Sequence, residues 1–377
     1  MTETALVGIL SDEQLQLRQV LRTFLDRHSA EPDVRRLMAT DEGYDARVWR
    51  RLGGELGLPG LAIPEEYGGS GFGYAELGLV FEETGRALLC APYFGTVALA
   101  AEVLLRAGDE AAAKDLLPGI AAGETVAALA LTEPGGRWDE AGITVRAERV
   151  AGRWLLSGVK TYVLDGHIAH LLLVVARTDT GIGLFAVDPA GEPGLRRTPL
   201  RTVDQTRKQA RLDFSGVPAR LIGDAGTAWP AIARALSTAA VLLAAEQLGG
   251  ASRALELAVD YAKIREQYGR AIGSFQAVKH RLADMLTDVE CARSAVQDGL
   301  RALAADAEDL PVAASVAKAC CSEVFTRVTA GAIQVHGGIG FTWEHSVQLY
   351  FKRAKASELL LGSPAEHRAR LAERLGL

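Results

Sequence analysis

Three segments carry residue types that do chemistry, at spacings that generic core sequence does not produce. Leu131-Thr-Glu-Pro-Gly-Gly136 follows a strand-like run and offers backbone amides and the Thr132 hydroxyl at one turn. Tyr261-Ala-Lys-Ile-Arg-Glu-Gln-Tyr-Gly-Arg270 continues through Ile272-Gly-Ser-Phe-Gln276 to Leu282-Ala-Asp-Met285. It supplies a fixed cation, Arg265, suited to a pyrophosphate, with Tyr268 and the Gln276 amide close by in the chain. Gln334-Val-His-Gly-Gly-Ile-Gly-Phe341 adds a second amide, Gln334. Its Gly337-Gly338 pair lets backbone approach a bound group closely. Leu349-Tyr-Phe-Lys-Arg-Ala-Lys355 follows. Taken singly, Arg265 reads as a surface arginine, Gly337-Gly338 as a helix C-cap, and His336 as a structural histidine.

Other chemistries lack their residues. There is no phosphate-cradling Walker loop, no HExxH and no GxSxG elbow. Gly181-Ile-Gly-Leu-Phe-Ala186 fits GxGxxA, but a turn precedes it and a strand follows, which is the wrong context for a dinucleotide site. The four cysteines, Cys90, Cys291, Cys320 and Cys321, have neither the spacing of a zinc site nor that of a disulfide framework. They are expected to be reduced thiols, and no metal is expected. With 47 acidic and 41 basic residues and no basic block, nucleic-acid binding is not expected. Met1-Thr-Glu-Thr lacks the basic start of a signal peptide. The apolar runs 169–176 and 239–245 fall short of the about 20 residues that span a bilayer. The expectation is a cytoplasmic protein without a membrane span.

The elements that must hold these segments change texture twice along the 377 residues. Ser11, with Gln14 three residues on, predicts a capped helix through Phe24. Val48, Leu52 and Leu56 share a helical face. Pro64–Gly73 is a glycine-rich loop, and helical spacing resumes over 75–84 and 99–107. From Val126 the runs 126–131, 143–150, 153–157, 171–177, 183–187 and 210–214 read as strands, with a hairpin at Val150-Ala-Gly-Arg153. They follow one another without intervening helices, which predicts an antiparallel sheet. After about Gly226 the chain is helical again: 232–258 is apolar nearly all round and reads as a buried central helix, followed by 276–303 and 313–335. The reading is an N-terminal α domain (1–124), a middle antiparallel β domain (125–224) and a C-terminal α domain like a four-helix bundle (225–377).

Together, the three segments, the α–β–α order and the length resemble the acyl-CoA dehydrogenase family of flavoproteins over nearly the whole chain. The resemblance implies FAD lying at a subunit boundary. It assigns Thr132 and the aromatic Tyr162 to a flavin ring in this chain's own site. It assigns Arg265, Tyr268, Gln276, Gln334, Gly337 and Gly338 to the FAD of a neighbouring subunit. It implies an acyl-CoA thioester as substrate, electron-transferring flavoprotein as redox partner, and dimers paired into tetramers. Fatty acid or steroid side-chain metabolism is the implied setting.

The chain departs from the family where the reaction needs a base. A carboxylate must take the α-proton. The usual position falls on Leu361, in Leu360-Leu-Gly-Ser363, and the alternative one on Ala239 of the central helix. Inside the apolar stretch of that helix lies a carboxylate, Glu246, seven residues on and so on the same face. It is the candidate base, since burial would raise its pKa; Glu358 is a further one. In the β region, Tyr162 and Leu164 replace a tryptophan and a threonine of the family. Two versions follow: a homo-oligomer with a displaced base, or the partner subunit of a heterotetramer in which another chain supplies it. The alternatives from other classes are an oxygen-using flavin hydroxylase or acyl-carrier-protein oxidase, and a non-catalytic assembly subunit.

Overall fold

The computed structural model describes residues 10–376; the Met1-Thr-Glu-Thr start lies outside them. The N-terminal helices are α1 (Asp12–His28), α2 (Glu31–Met38), α3 (Ala46–Gly54), α4 (Tyr74–Arg86), α5 (Glu102–Arg106) and α6 (Glu110–Ala121). A π-helical segment, Phe94–Ala101, leads into α5. Ser11 caps α1 as its spacing predicts: its Oγ accepts from the Gln14 amide, and the Gln14 side chain accepts from the Ser11 amide, each at 3.2 Å. Seven strands follow: β1 (Ala127–Ala130), β2 (Arg146–Val150), β3 (Arg153–Leu164), β4 (Leu171–Thr178), β5 (Gly181–Val187), β6 (Leu195–Pro199) and β7 (Gln209–Ile222). Helix α7 (Trp229–Ile264) is followed by a two-residue ladder, β8 (Glu266–Gln267) with β9 (Arg270–Ala271), and then by α8 (Gln276–Ala304), α9 (Leu310–His336), α10 (Val347–Leu359) and α11 (Pro364–Leu375).

Contacts divide the chain into two compact units. One holds the described residues up to Val34, Tyr74–Leu89, and those from Ala240 onward; the other holds Arg35–Gly73 and Cys90–Ala239. Helices α1 and α4 thus belong with the C-terminal helices.

In the second unit the strands form one sheet, ordered β1-β4-β2-β3-β7-β5, with β6 on β7 and β4 also paired to β5. Most pairings are antiparallel. Strand β1 lies parallel to β4, and one residue pair joins β2 to β4 in parallel. No hairpin connects β1 to β4, so turn geometry does not dictate their relative direction. Ala151 and Gly152, both at positive φ, make the tight turn between β2 and β3. Strand β4 is buried along nearly its whole length, which explains its unbroken apolar run. Strand β3 runs past Ser157, where Gly158 and Lys160 suggest an end, because bulges absorb the irregular residues. Strand β6, Leu195-Arg-Arg-Thr-Pro199, has no apolar alternation; it pairs with β7 alone, and charge with proline suits an edge.

In the first unit the core lies along α7. Residues 240–245 are essentially buried, which accounts for their all-apolar composition. Among the described residues α7 is long and apolar enough to cross a membrane, but 72 % of that window is buried inside the protein. Its apolar surface is therefore used by the core. Glycine permits a close helix crossing here: a Cβ on Gly249 would sit 1.8 Å from Glu82 O, and one on Gly85 2.0 Å from Glu246 O. Either would force α4 and α7 apart.

Candidate functional site

Each unit carries its own share of the residues singled out by sequence. In the second, Thr132 is buried at the end of β1. Its Oγ1 donates to Thr161 O at 2.6 Å, and the Thr161 amide donates back to Thr132 O at 2.9 Å. Next in β3, Tyr162 takes φ +57 with its side chain exposed. A left-handed tyrosine costs on the order of 1 kcal/mol or more and persists only where surroundings impose it. The imposing structure is the bulge between Lys160 and Val163.

Beneath the turn lies an ion pair that motif reading passed over. Lys160 is fully buried and donates to Glu133 Oε1 and to Leu131 O, each at 2.8 Å. Glu133 also accepts from the amides of Thr144 and Val145 and from the Thr144 hydroxyl. Burial pushes the Glu133 pKa up, but Lys160 and these donors outweigh it and leave it lowered. Burial lowers Lys160 to about 8. The signal was present: a Glu beside Thr132 and a Lys in an apolar strand must pair if both are buried.

In the first unit, Arg265, Tyr268, Gln276, Gln334, Gly337 and Gly338 are all exposed, and the fold gathers them at the adjoining ends of three helices. The Ile272–Ser274 turn folds back on the end of α7: a Cβ on Gly273 would lie 2.9 Å from Ala262 O. That places the start of α8, and Gln276, beside it. Tyr261 of α7 stacks on His336, the last residue of α9, with centroids 4.5 Å apart. Tyr268 and Gly269, both at positive φ, turn the β8–β9 ladder, and the Tyr268 ring meets Phe275 edge-on. Gln276 Nε2 lies 2.7 Å from His280 Nε2. Gly337 caps α9 at φ +64, ψ −142, and space is open where its Cβ would be. Among the described residues Arg265 has no ion pair and Gln334 no side-chain hydrogen bond. This is a solvent-facing band of donors around a bare backbone turn.

The candidate carboxylates are otherwise engaged. Glu246 is buried, and Arg353 Nη1, also buried, donates to its Oε1 at 2.9 Å. Arg353 is thus a close partner of the carboxylate that the sequence offers as a base. Glu358 binds Lys355 and accepts from Thr326. Ala239 is fully buried.

Leu361 is buried at φ +64 in a rigid turn. Lys318, fully buried on α9, directs three N–H bonds at Ser322 Oγ (2.9 Å), Gly362 O (3.0 Å) and Glu358 O (3.2 Å). Burial brings Lys318 down to about 7. His367 Nε2 lies 3.1 Å from Leu361 O; burial, then Lys318 and Arg370, lower it to about 4. A cavity of 510 Å³ also opens in this unit. None of the candidate site residues line it, and its arginines are matched in place, Arg22 by Glu83 and Arg86 with Arg253 by Glu256.

Comparison with known proteins bears on the same segments. Three domain models of one family match: acyl-CoA dehydrogenase N-terminal domain over 11–124, middle domain over 128–217 and C-terminal domain over 226–376. The chain is 38 % identical over 360 residues, 96 % of each protein, to acyl-CoA dehydrogenase IpdE2 of Mycobacterium tuberculosis. Among solved structures it resembles butyryl-CoA dehydrogenase from Megasphaera elsdenii (TM-score 0.92, 27 % identity, 99 % of this chain and 100 % of that one). It also resembles a chain of the ChsE4-ChsE5 complex from Mycobacterium tuberculosis (TM-score 0.88, 30 % identity, 98 % of each).

Proposed function

The chain belongs to the acyl-CoA dehydrogenase family, and from that premise we propose that it is the base-less subunit of a mixed tetramer. It is an oxidoreductase of the class that acts on CH–CH donors, and the reaction it serves is dehydrogenation of an acyl-CoA thioester. In the proposed assembly a second family member supplies the carboxylate that takes the α-proton. The observation that carries this reading is the state of the base positions: Leu361 is buried and apolar, Ala239 is an alanine, and Glu246 is held by Arg353. The likeness to a chain of the two-component ChsE4-ChsE5 complex supports it.

The residues present fit FAD. Arg265, exposed and without an ion pair among the described residues, would hold the pyrophosphate. Gln334, Gln276 and Tyr268 would orient the nucleotide, and the open Gly337-Gly338 turn admits close backbone approach. These groups point away from their own unit, as groups serving a neighbouring subunit's cofactor must. When bound at these residues, FAD would supply the hydride acceptor for the β-hydrogen of the acyl group. Electron-transferring flavoprotein is the proposed acceptor and the cytoplasm the proposed location.

A second reading rests on the firmly built Thr132 turn and the exposed Tyr162, which suit a flavin in the chain's own site and hence a homo-oligomer. The two separate by assay. The chain purified alone is expected to show no acyl-CoA-dependent reduction of an electron acceptor; co-expressed with a base-bearing family member it should show turnover. Turnover by the chain alone would overturn the mixed-assembly reading.

A further inference from the structure

We propose that His336 is a positioning residue for the cofactor-facing band: its ring, held between Tyr261 and His345, registers the Arg265 end of α7 against the Gly337-Gly338 turn. The inference rests on the FAD reading above. His336 is 4 % exposed and closes α9 immediately before Gly337. Its ring lies 4.5 Å from Tyr261 and 4.2 Å from His345, centroid to centroid. The Arg265 amide donates to Tyr261 O at 2.8 Å, so Arg265 sits one helical turn from the stack. On the other side, the Gly337 amide donates to Gln334 O and Ile333 O, tying the turn and Gln334 to the same helix end. His345 is fixed in turn, its Nδ1 accepting from the Val347 amide at 3.1 Å.

The chemistry of the ring argues for positioning. Nδ1 is 2.7 Å from Ala332 O and must carry the proton, which sets the tautomer and locks the ring's orientation. Nε2 is then a lone-pair acceptor, buried with no partner among the described residues. An unmet buried acceptor costs stability that a plain apolar side chain would avoid. Burial also lowers the His336 pKa, so the ring stays neutral. A ring at this position reaches both Tyr261 and His345, which a short side chain cannot do. His336 itself is too buried to touch a cofactor.

The test is a fluorescence titration with FAD of the deflavinated full-chain assembly, formed with a base-bearing family member. His336→Ala is expected to weaken FAD binding about tenfold, the scale of a lost aromatic pair, and Tyr261→Leu to do the same from the other side. His336→Phe, which keeps the ring, should stay within about threefold of wild type. Tyr261→Leu keeps the test open if His336→Ala fails to assemble. The proposal is overturned if either truncation binds FAD like wild type while Arg265→Ala loses it, or if His336→Phe is as weak as His336→Ala. A wild-type assembly that takes up no FAD overturns the cofactor reading and this inference with it.

Discussion

Glu246 and Arg353 show how one neighbour changes a residue's meaning. A glutamate on an apolar helix suggests a base with a raised pKa. Beside a buried arginine, we propose, it is a structural carboxylate. Removing its charge alone should therefore act on folding before chemistry. Glu246→Gln is expected to destabilise the protein in denaturant unfolding, by at most the about 3–5 kcal/mol that breaking a buried pair costs. Glu246→Gln combined with Arg353→Met should recover most of that loss. A Glu246→Gln protein of unchanged stability but abolished turnover would restore the catalytic reading. Arg265 is the opposite case: exposed and without an ion pair among the described residues. Arg265→Ala should leave unfolding nearly unchanged, as surface substitutions do, and strip flavin from the assembly, measured as FAD released per polypeptide.

At the scale of elements, the turn Leu360-Leu-Gly-Ser363 is held from two sides, by Lys318 and by His367. His367 is held near 4 in the folded protein, below its ordinary value of 6.5. Between those values the unfolded chain binds more protons, so stability contributed by neutral His367 is complete above about 6.5 and is lost as pH falls toward 4. Lys318, lowered from 10.5 to about 7, works in the same direction in a higher window. Its burial opposes folding while it is charged, and that cost fades as pH rises from about 7 to 10.5. His367→Gln should flatten the acid limb of the stability–pH curve between 6.5 and 4. An unchanged limb would contradict the assignment.

The same elements show what was legible in sequence. The Ser11 cap of α1, the Ala151-Gly152 hairpin and the buried β4 run were readable because each rests on a local rule. Strand β6 and the continuation of β3 were not, because pairing with β7 stabilises them against their own composition. The parallel β1–β4 pair and the grouping of α1 and α4 with the C-terminal helices depend on long-range contacts that no window of sequence contains. The three motif segments stood out by residue type. The Lys160–Glu133 pair beneath one of them did not, since its meaning needs burial.

At the scale of the whole molecule, the band around Arg265 is flanked by apolar side chains that a chain on its own leaves in water: Ile264, Tyr268, Phe341 and Trp343. Burying them against another subunit would gain roughly 25 cal/mol per Å², and charge there should oppose association. Phe341→Asp is accordingly expected to shift the assembly toward smaller species in sedimentation velocity, with helix content preserved. A variant that sediments like wild type would place the subunit contact elsewhere. The proposed tetramer of this chain and a base-bearing partner would also account for the presence of Arg265, Gln334 and the glycine turn although Leu361 cannot act as a base.

The most direct measurement is the visible spectrum of the purified protein with FAD counted per polypeptide, first for the chain alone and then for the chain co-expressed with a base-bearing family member. The account predicts little or no flavin alone, and flavin with acyl-CoA-dependent bleaching in the mixed assembly. One flavin per chain in the protein alone, bleached by an acyl-CoA, would contradict it and return the search for a base to this chain's own residues.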